Sequence, residues 1–285
     1  MSKEIRGWVE DSGFGASLGV KLDDVSEGAA RLLLPFAERN SNPGQALHGG
    51  CAASLALIGA QTVTRATLGR DAGPYHTAGL QVNYLAAAIG EDVIADATLL
   101  RRGKELCFVE VDVATRAGKS IAHVTSMVRG RFGARAAERF AAAGDDGAGD
   151  PGPMGPHVSE LPFCMERGMG IEHMTNACAR VVMPWSEKNA DGEGGVHEGA
   201  VLALFDTTGA MAAWADVGPG PYRASTPSIQ AQILAPPPRQ DLVAYGKSVQ
   251  RDGDLFWSEV EVAGSDGEQA ATVIARGTVI YRIVT

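Results

Sequence analysis

The feature that most constrains this chain is an internal repeat at a fixed offset of 149 residues. The segment Leu47-His48-Gly49-Gly50 returns as Val196-His197-Glu198-Gly199. The same offset matches turn residues, helix starts and strand residues without an insertion from position 14 to about position 126. Self-similarity over such a length indicates two copies of one structural unit.

Each copy is about 120 residues long, a normal size for a small domain. Residues 144–153 between the copies are almost entirely Gly, Asp, Ala and Pro, the composition of a linker. We therefore predict an N-terminal domain at residues 1–133, a linker at 134–156 and a C-terminal domain at 157–285.

The charge balance and the cysteine content exclude several classes of protein. The chain has 25 Lys and Arg against 34 Asp and Glu, and this net charge of −9 disfavours nucleic-acid binding. Its four cysteines have no metal-ligand spacing, which is typical of reduced thiols in the cytoplasm. The longest apolar stretch, 49–60, is too short to span a bilayer. We expect a cytoplasmic protein with no metal, cofactor, membrane or nucleic-acid partner.

Hydrophobic patterning predicts the same elements in both copies. In the first copy, 31–36 is predicted as a short strand and 48–68 as a helix. Four further strands are predicted at 77–85, 92–102, 106–117 and 120–129. Because the helix is apolar on most sides, we expect it to be buried by a curved antiparallel sheet wrapped around it. This arrangement belongs to the α+β class.

The order of these elements, with His-Gly-Gly at the helix start, resembles the hotdog fold in the branch of small acyl-CoA thioesterases related to phenylacetate-pathway enzymes. The resemblance covers both copies and implies two hotdog domains in tandem that form an intramolecular pseudo-dimer. Domains of this family work as dimers whose active sites are shared across the interface. The resemblance thus implies an acyl-CoA substrate, sites built from both copies, and a homo-oligomer of fused pairs.

The family motif is an Asn, then His-Gly-Gly six positions later, then an acidic residue nine positions past the His. In the first copy Asn42, His48 and Gly49 match the motif, but the acidic position holds Leu57. In the second copy the acidic position holds Asp206. A site shared across the pseudo-dimer would therefore be complete if Asp206 faced the helix start of the first copy.

The other shared site departs from the motif at several positions. The second copy has Asp191 in place of the Asn and Glu198 in place of the first Gly, although it keeps His197. The residue facing this helix start would be Leu57, which can neither attack a carbonyl nor accept a proton. We therefore predict a degenerate second site without a base, and one working site per chain.

Thioester hydrolysis needs a group that stabilises the oxyanion and a group that activates water or attacks directly. The free backbone N–H groups at a helix start supply the first, and glycine lets a thioester approach the backbone closely. Asp206 would be the base or the nucleophile. Asn42 would orient substrate or water, and His48 would shape the turn or assist polarisation. Alternatively, the glycines serve only close packing and Asp206 is a core residue held by backbone or Thr donors.

Several other residues are candidates for the site. In related enzymes a Ser or Thr on the strand after the helix orients water near the acid, and Thr226 matches that place in the second copy. Its counterpart in the first copy is Thr77, and Ser225 is a neighbour that could substitute for Thr226. Gly50 and Asn40 are candidates for substrate binding, with loop capping as the other role for Asn40.

Two other functions remain open on the sequence. An acyl-CoA-binding double hotdog without turnover would explain why both copies of the motif are damaged. An enoyl-CoA hydratase or dehydratase resembles an Asp, then Asn-Pro, then a His close behind. Here Asn42 is followed by Pro43, but Asn40 occupies the Asp position and His48 follows too late.

Overall fold

The computed structural model describes residues 2–131, 141–145, 148–265 and 272–284. The helices of the first half are α1 (Ser2–Glu10), α2 (Gly13–Leu18) and α3 (Gly49–Leu68). Its strands are β1 (Lys21–Ser26), β2 (Ala29–Leu34), β3 (His76–Tyr84), β4 (Val93–Arg102), β5 (Leu106–Thr115) and β6 (Ser120–Arg129).

The second half repeats this order. Its helices are α4 (Gly155–Ser159), α5 (Pro162–Arg167) and α6 (Glu198–Val217). Its strands are β7 (Gly170–Thr175), β8 (Cys178–Met183), β9 (Arg223–Ile233), β10 (Leu242–Asp252), β11 (Leu255–Gly264) and β12 (Val273–Val284). Both ends of α6 lie 149 residues after those of α3, and the same holds for β1 with β7, β2 with β8 and β5 with β11. The repeat predicted from the sequence is therefore confirmed.

All twelve strands form one sheet in the order β1-β2-β4-β5-β6-β3-β9-β12-β11-β10-β8-β7. The two halves join where β3 pairs antiparallel with β9. In that pair Gln81 lies opposite Gln230, and these two residues are equivalent positions of the repeat. The halves are thus related by an approximate twofold axis through this pair.

The long helices form the centre of the core, as their apolar composition predicts. Helix α3 packs against β4, β5 and β6, whereas α6 packs against β8, β10, β11 and β12. His48 caps the start of α3 by accepting the N–H of Gly50, and His197 caps α6 by accepting the N–H of Gly199. Helix α6 is long and apolar enough to cross a membrane, whereas we expected every apolar stretch to be too short. However, 78% of the most apolar part of this helix is buried inside the protein.

The two helices touch at their small residues. A Cβ atom added at Gly50 would lie 2.9 Å from the Cα atom of Ala203. At the equivalent contact, a Cβ atom added at Gly199 would lie 3.0 Å from Oγ of Ser54. The Ser54 hydroxyl lies 2.9 Å from the carbonyl oxygen of Gly199 and 2.6 Å from that of Gly50. The N-terminal turn of each helix is therefore held against the other helix.

Two sequence predictions differ from the structure. The strand predicted at 31–36 is β2, which begins at Ala29. Three elements before it, α1, α2 and β1, were not predicted. The predicted linker at 134–156 contains residues 134–140 and 146–147, which lie outside the described residues, and its last two residues begin α4. The domain boundaries therefore stay predictions.

We predict that Gly50→Ala lowers the free energy of unfolding by about 1–3 kcal/mol, because the new methyl group would collide with the backbone of Ala203. Chemical denaturation measures this change. Gly79→Ala is the matched control, since its added Cβ atom would meet Ala231 O at an ordinary 3.6 Å. Equal stability of the two variants would show that the helices can separate without cost.

Candidate active site

The start of α3 meets the middle of α6 at a buried carboxylate. Asp206 Oδ2 lies 4.0 Å from Nδ1 of His48, across the boundary between the two halves. The Thr226 hydroxyl of β9 donates a hydrogen bond to Oδ1 of the same carboxylate at 2.9 Å. The sequence analysis placed these residues in one shared site, and the structure brings them together. We call this group of residues the Asp206 site.

His48 is a neutral cap at this site. Its Nδ1 accepts the N–H of Gly50 at 2.9 Å, so the ring proton lies on Nε2. Burial lowers the pKa of His48 to about 4, which keeps the ring uncharged at neutral pH. The ring stacks on Phe163 of the other half with centroids 4.1 Å apart. These contacts favour a role for His48 in shaping the turn.

Gly49 is the residue that leaves room for the carboxylate. A Cβ atom added there would lie 2.8 Å from Oδ2 of Asp206 and 3.4 Å from Oη of Tyr84. Tyr84 donates a hydrogen bond to the Gly49 carbonyl oxygen at 2.8 Å, and burial raises the pKa of its hydroxyl. Gly49 is also the first residue of α3, where backbone N–H groups have no partner within the helix.

The environment of Asp206 favours the protonated carboxyl. Asp206 is only 3% exposed, and burial raises its pKa to about 6. The Thr226 hydroxyl and the Gly50 N–H partly offset that effect, because both stabilise the charged form. A carboxylate with a pKa near 6 is ionised at neutral pH and still basic enough to accept a proton.

Three other predicted residues, Asn42, Asn40 and Ser225, make no hydrogen bond to the Asp206 carboxylate within the described part of the chain. Asn42 is half-buried, and its side chain makes no hydrogen bond within the described part of the chain. Asn40 is buried and donates to Leu18 O at 2.7 Å, which supports loop capping rather than substrate binding. Ser225 is exposed, so the structure does not place it as a substitute for Thr226. Gly50 provides the helix contact described above.

The equivalent position in the other half contains a different carboxylate. Glu198 at the start of α6 is 9% exposed. Its oxygens lie 2.6 Å from Nδ1 of His76 and accept from Nε2 of Gln61 at 2.7 Å and from the Thr77 N–H at 3.1 Å. Leu57, which the sequence analysis assigned to this site, is fully buried. We call this group the Glu198 site.

His76 balances the charge of Glu198. Its Nδ1 faces the carboxylate, and its Nε2 lies 2.9 Å from the carbonyl oxygen of Ile233. Both neighbours are acceptors, so both ring nitrogens carry protons and the ring is cationic. Burial opposes this charge, but the hydrogen bond that His76 donates to Glu198, together with the negative charge of Glu198, outweighs burial and raises the pKa of His76. The Glu198 carboxylate therefore forms a buried ion pair.

The remaining departures from the motif have structural roles in the second half. Asp191 Oδ1 accepts the backbone N–H groups of residues 193, 194 and 195 at 2.7 to 3.0 Å and thereby shapes that loop. His197 accepts the Gly199 N–H at 2.9 Å and stacks on Phe14, as His48 does on Phe163. The prediction that this site lacks a base stays a prediction, although it holds a carboxylate from an unexpected position.

The two sites thus obtain a carboxylate in opposite ways. At the Asp206 site the acid comes from the facing helix, and Gly49 provides the space. At the Glu198 site the acid replaces that glycine, and Leu57 faces it. The sequence analysis missed His76 and Gln61, whose equivalents in the other half are Ser225 and Ala210. Comparing the copies residue by residue at these positions would have found them.

Two neighbouring cavities lie at the Glu198 site. One of about 560 Å³, open to solvent, is lined by Glu198, His76 and Gln61 among others, and a neighbouring one of about 760 Å³ adjoins it. Asp206 lines neither cavity. Among the described residues, no group of three or more His, Cys, Asp or Glu side chains is placed to hold a metal ion.

The sequence is similar to those of known thioesterases and esterases. Residues 36–130 match the family model described as the N-terminal domain of acyl-CoA thioesterases. A Halobacterium salinarum protein that is named an esterase is 37% identical over 131 residues, which are 45% of this chain and 86% of that protein.

Solved structures share the fold over both halves. The tesB protein of Mycobacterium avium subspecies paratuberculosis superposes with a TM-score of 0.68 at 15% identity, covering 96% of this chain and 100% of that one. An acyl-CoA thioesterase II from Mycobacterium marinum has a TM-score of 0.64 at 12% identity, covering 97% and 98%. A hot dog fold protein of Alicyclobacillus acidocaldarius has a TM-score of 0.66 at 15% identity, covering 97% and 98%. The predicted tandem of hotdog domains is confirmed.

We predict that Asp206→Asn stabilises the protein at pH 8 by about 1–3 kcal/mol, since each unit of pKa shift corresponds to about 1.4 kcal/mol. The folded-state pKa lies above the unfolded value, so the wild-type protein loses stability as pH rises from about 4 to 6. The gain in the variant should shrink as pH falls through that range. Urea denaturation at several pH values measures it, and a less stable variant at every pH would indicate a structural Asp206.

Proposed function

Because the chain belongs to the hotdog-fold thioesterases, we propose that it hydrolyses the thioester bond of an acyl-CoA at the Asp206 site. The observation that carries this proposal is the buried carboxylate of Asp206, which lies against the start of a helix from the other half. A carboxylate and a helix start in contact are the two groups that the reaction needs. Family membership supports hydrolase activity on a thioester, and the acyl-CoA substrate is part of the proposal.

The proposed reaction consumes one water molecule. Asp206, acting as general base, takes a proton from water while the water oxygen attacks the thioester carbonyl carbon. The C–S bond then breaks, and the proton passes from Asp206 to the departing thiolate of coenzyme A, which leaves as the thiol beside the free acid. Alternatively, the carboxylate attacks the carbonyl carbon first and expels the thiolate, and water then hydrolyses the resulting anhydride to the free acid and regenerates Asp206. The Thr226 hydroxyl holds the carboxylate in place for either route.

The start of α3 supplies stabilisation for the oxyanion. The Gly49 N–H and the positive end of the helix dipole would stabilise the negative charge that develops on the carbonyl oxygen. The Gly50 N–H is held by His48, so His48 fixes the geometry of the turn. Tyr84 adds a second restraint, because its hydroxyl donates to the Gly49 carbonyl oxygen.

The Glu198 site lacks this arrangement, which supports one working site per chain. Three donors surround the Glu198 carboxylate, and one of them is the cationic ring of His76. These contacts already occupy the carboxylate oxygens that would have to meet an attacking water. The Glu198 side chain also occupies the position that corresponds to Gly49.

We predict that Asp206→Asn lowers the rate of thiol release by about 10²- to 10⁴-fold, the usual effect of removing a general base. Release of thiol from a panel of acyl-CoA substrates measures it. Asp191→Asn should change the rate little, because an Asn oxygen can still accept the loop N–H groups. Equal rates for the two variants would reject the assignment, and wild-type protein that releases no thiol would favour a binding protein or a hydratase.

We predict that kcat/KM falls tenfold per pH unit below about pH 6 and reaches a plateau above it. The base must be ionised, and burial raises the pKa of Asp206 to about 6. His48 contributes no inflection near neutral pH, since its pKa is lowered to about 4. A pH profile over the range where the protein stays folded tests this, and a single inflection above pH 7 would contradict it.

A further inference from the structure

The guanidinium of Arg65 has one long ion pair, with Glu193, and no hydrogen bond within the described part of the chain. Its side chain is 17% exposed and lies over the rings of Trp8 and Tyr75, at 4.0 and 4.9 Å from their centroids. Its Nε atom is buried without a partner, and the side chain makes no hydrogen bond to any described residue. The carboxylate of Glu193 lies 3.9 Å away, beyond hydrogen-bonding distance. Buried donors left unpaired are costly, so this arrangement indicates a missing anionic partner.

Arg65 borders an open cleft. The cavities of about 560 and 760 Å³ at the Glu198 site share Arg65, Trp8, Pro74, Tyr75 and Glu193 among their lining residues. We call this space the Arg65 cleft. A ligand that entered it from solvent would meet Arg65, which lines both cavities.

The other charges that line the cleft already have partners. Glu198 forms the ion pair with His76, and Asp191 accepts three backbone N–H groups. The Glu193 side chain pairs with Arg65 at 3.9 Å and is 57% exposed. An incoming anion would therefore compete for Arg65 only with this exposed carboxylate.

The walls of the cleft determine the class of anion. Pro74, Tyr75, Val196, Pro236 and Pro237 provide apolar surface beside the cation. A guanidinium edge matches a carboxylate with two parallel hydrogen bonds. A dianion such as phosphate fits less well, because acidic side chains lie nearby and the whole chain carries a charge of −9.

From these observations we propose that the Arg65 cleft is a second binding site, which holds a small carboxylate with an apolar body and does not hydrolyse a thioester. The site belongs to one half only. The repeat equivalent of Arg65 is Trp214, whose Nε1 donates to the hydroxyl of Tyr281 at 3.2 Å. The proposal is separate from catalysis at Asp206.

Isothermal titration calorimetry with benzoate, hexanoate and inorganic phosphate tests the proposal. We expect saturable binding of the two carboxylates at one site per chain and no saturable binding of phosphate. Arg65→Met should weaken carboxylate binding by about 10- to 100-fold, the effect of losing hydrogen bonds to a charged group. Arg116→Met is the control away from the cleft, where the Arg116 side chain is 60% exposed and pairs with Asp92; it should leave the affinity unchanged.

The same titrations on Asp206→Asn separate this proposal from the proposed hydrolysis, because the variant should bind carboxylates normally even if it releases no thiol. Arg65→Lys keeps the positive charge but loses the two parallel N–H donors of the guanidinium, so it should bind carboxylates with intermediate affinity. This variant keeps the test valid if Arg65→Met fails to fold. Absence of carboxylate binding, equal affinity of wild type and Arg65→Met, or loss of binding only in Asp206→Asn would each overturn the second site. Tighter binding of phosphate than of benzoate would overturn the ligand class.

Discussion

The close contact between α3 and α6 determines the rest of the structure. At Gly50 and Ala203, and at Gly199 and Ser54, the helices approach so closely that an added Cβ atom would meet the other helix at 2.9 to 3.0 Å. This contact brings the N-terminal turn of one helix beside the middle of the other. A carboxylate one turn further along α6 then lies at the start of α3. The sheet adds the β3–β9 pairing, which fixes the same relation between the halves.

The same geometry produces two electrostatically different sites. Asp206 lies in an apolar helix with few donors, and burial raises its pKa to about 6. Glu198 has a cationic partner in His76 and two further donors. The difference follows from what surrounds each acid, because both helices begin with a histidine cap and both are buried. The buried Asp206 carboxylate has few donors around it, an environment that suits acid–base chemistry. The Glu198 carboxylate has an ion-pair partner and hydrogen-bond donors, an environment that suits binding or packing.

The sequence predicted both long helices and the strands that follow them, because a strict repeat and strong apolar patterns mark these elements. It did not predict β1, whose residues are mostly exposed and show no clean alternation. Within the candidate site it placed Asp206 with His48 through the motif spacing, and Thr226 through the resemblance to related enzymes. It assigned Glu198 and Thr77 to the degenerate second site, but it could not add Gln61, because that contact joins residues 137 positions apart and no local pattern records it.

The fit between Gly49 and Asp206 shows what joining two copies in one chain permits. In a homodimer the same residue would stand at the helix start in both sites. Here the copies differ: Gly49 leaves room for Asp206, since an added Cβ atom would lie 2.8 Å from that carboxylate, whereas the equivalent position holds Glu198. A single chain can therefore keep a different arrangement of acids at each of its two helix starts.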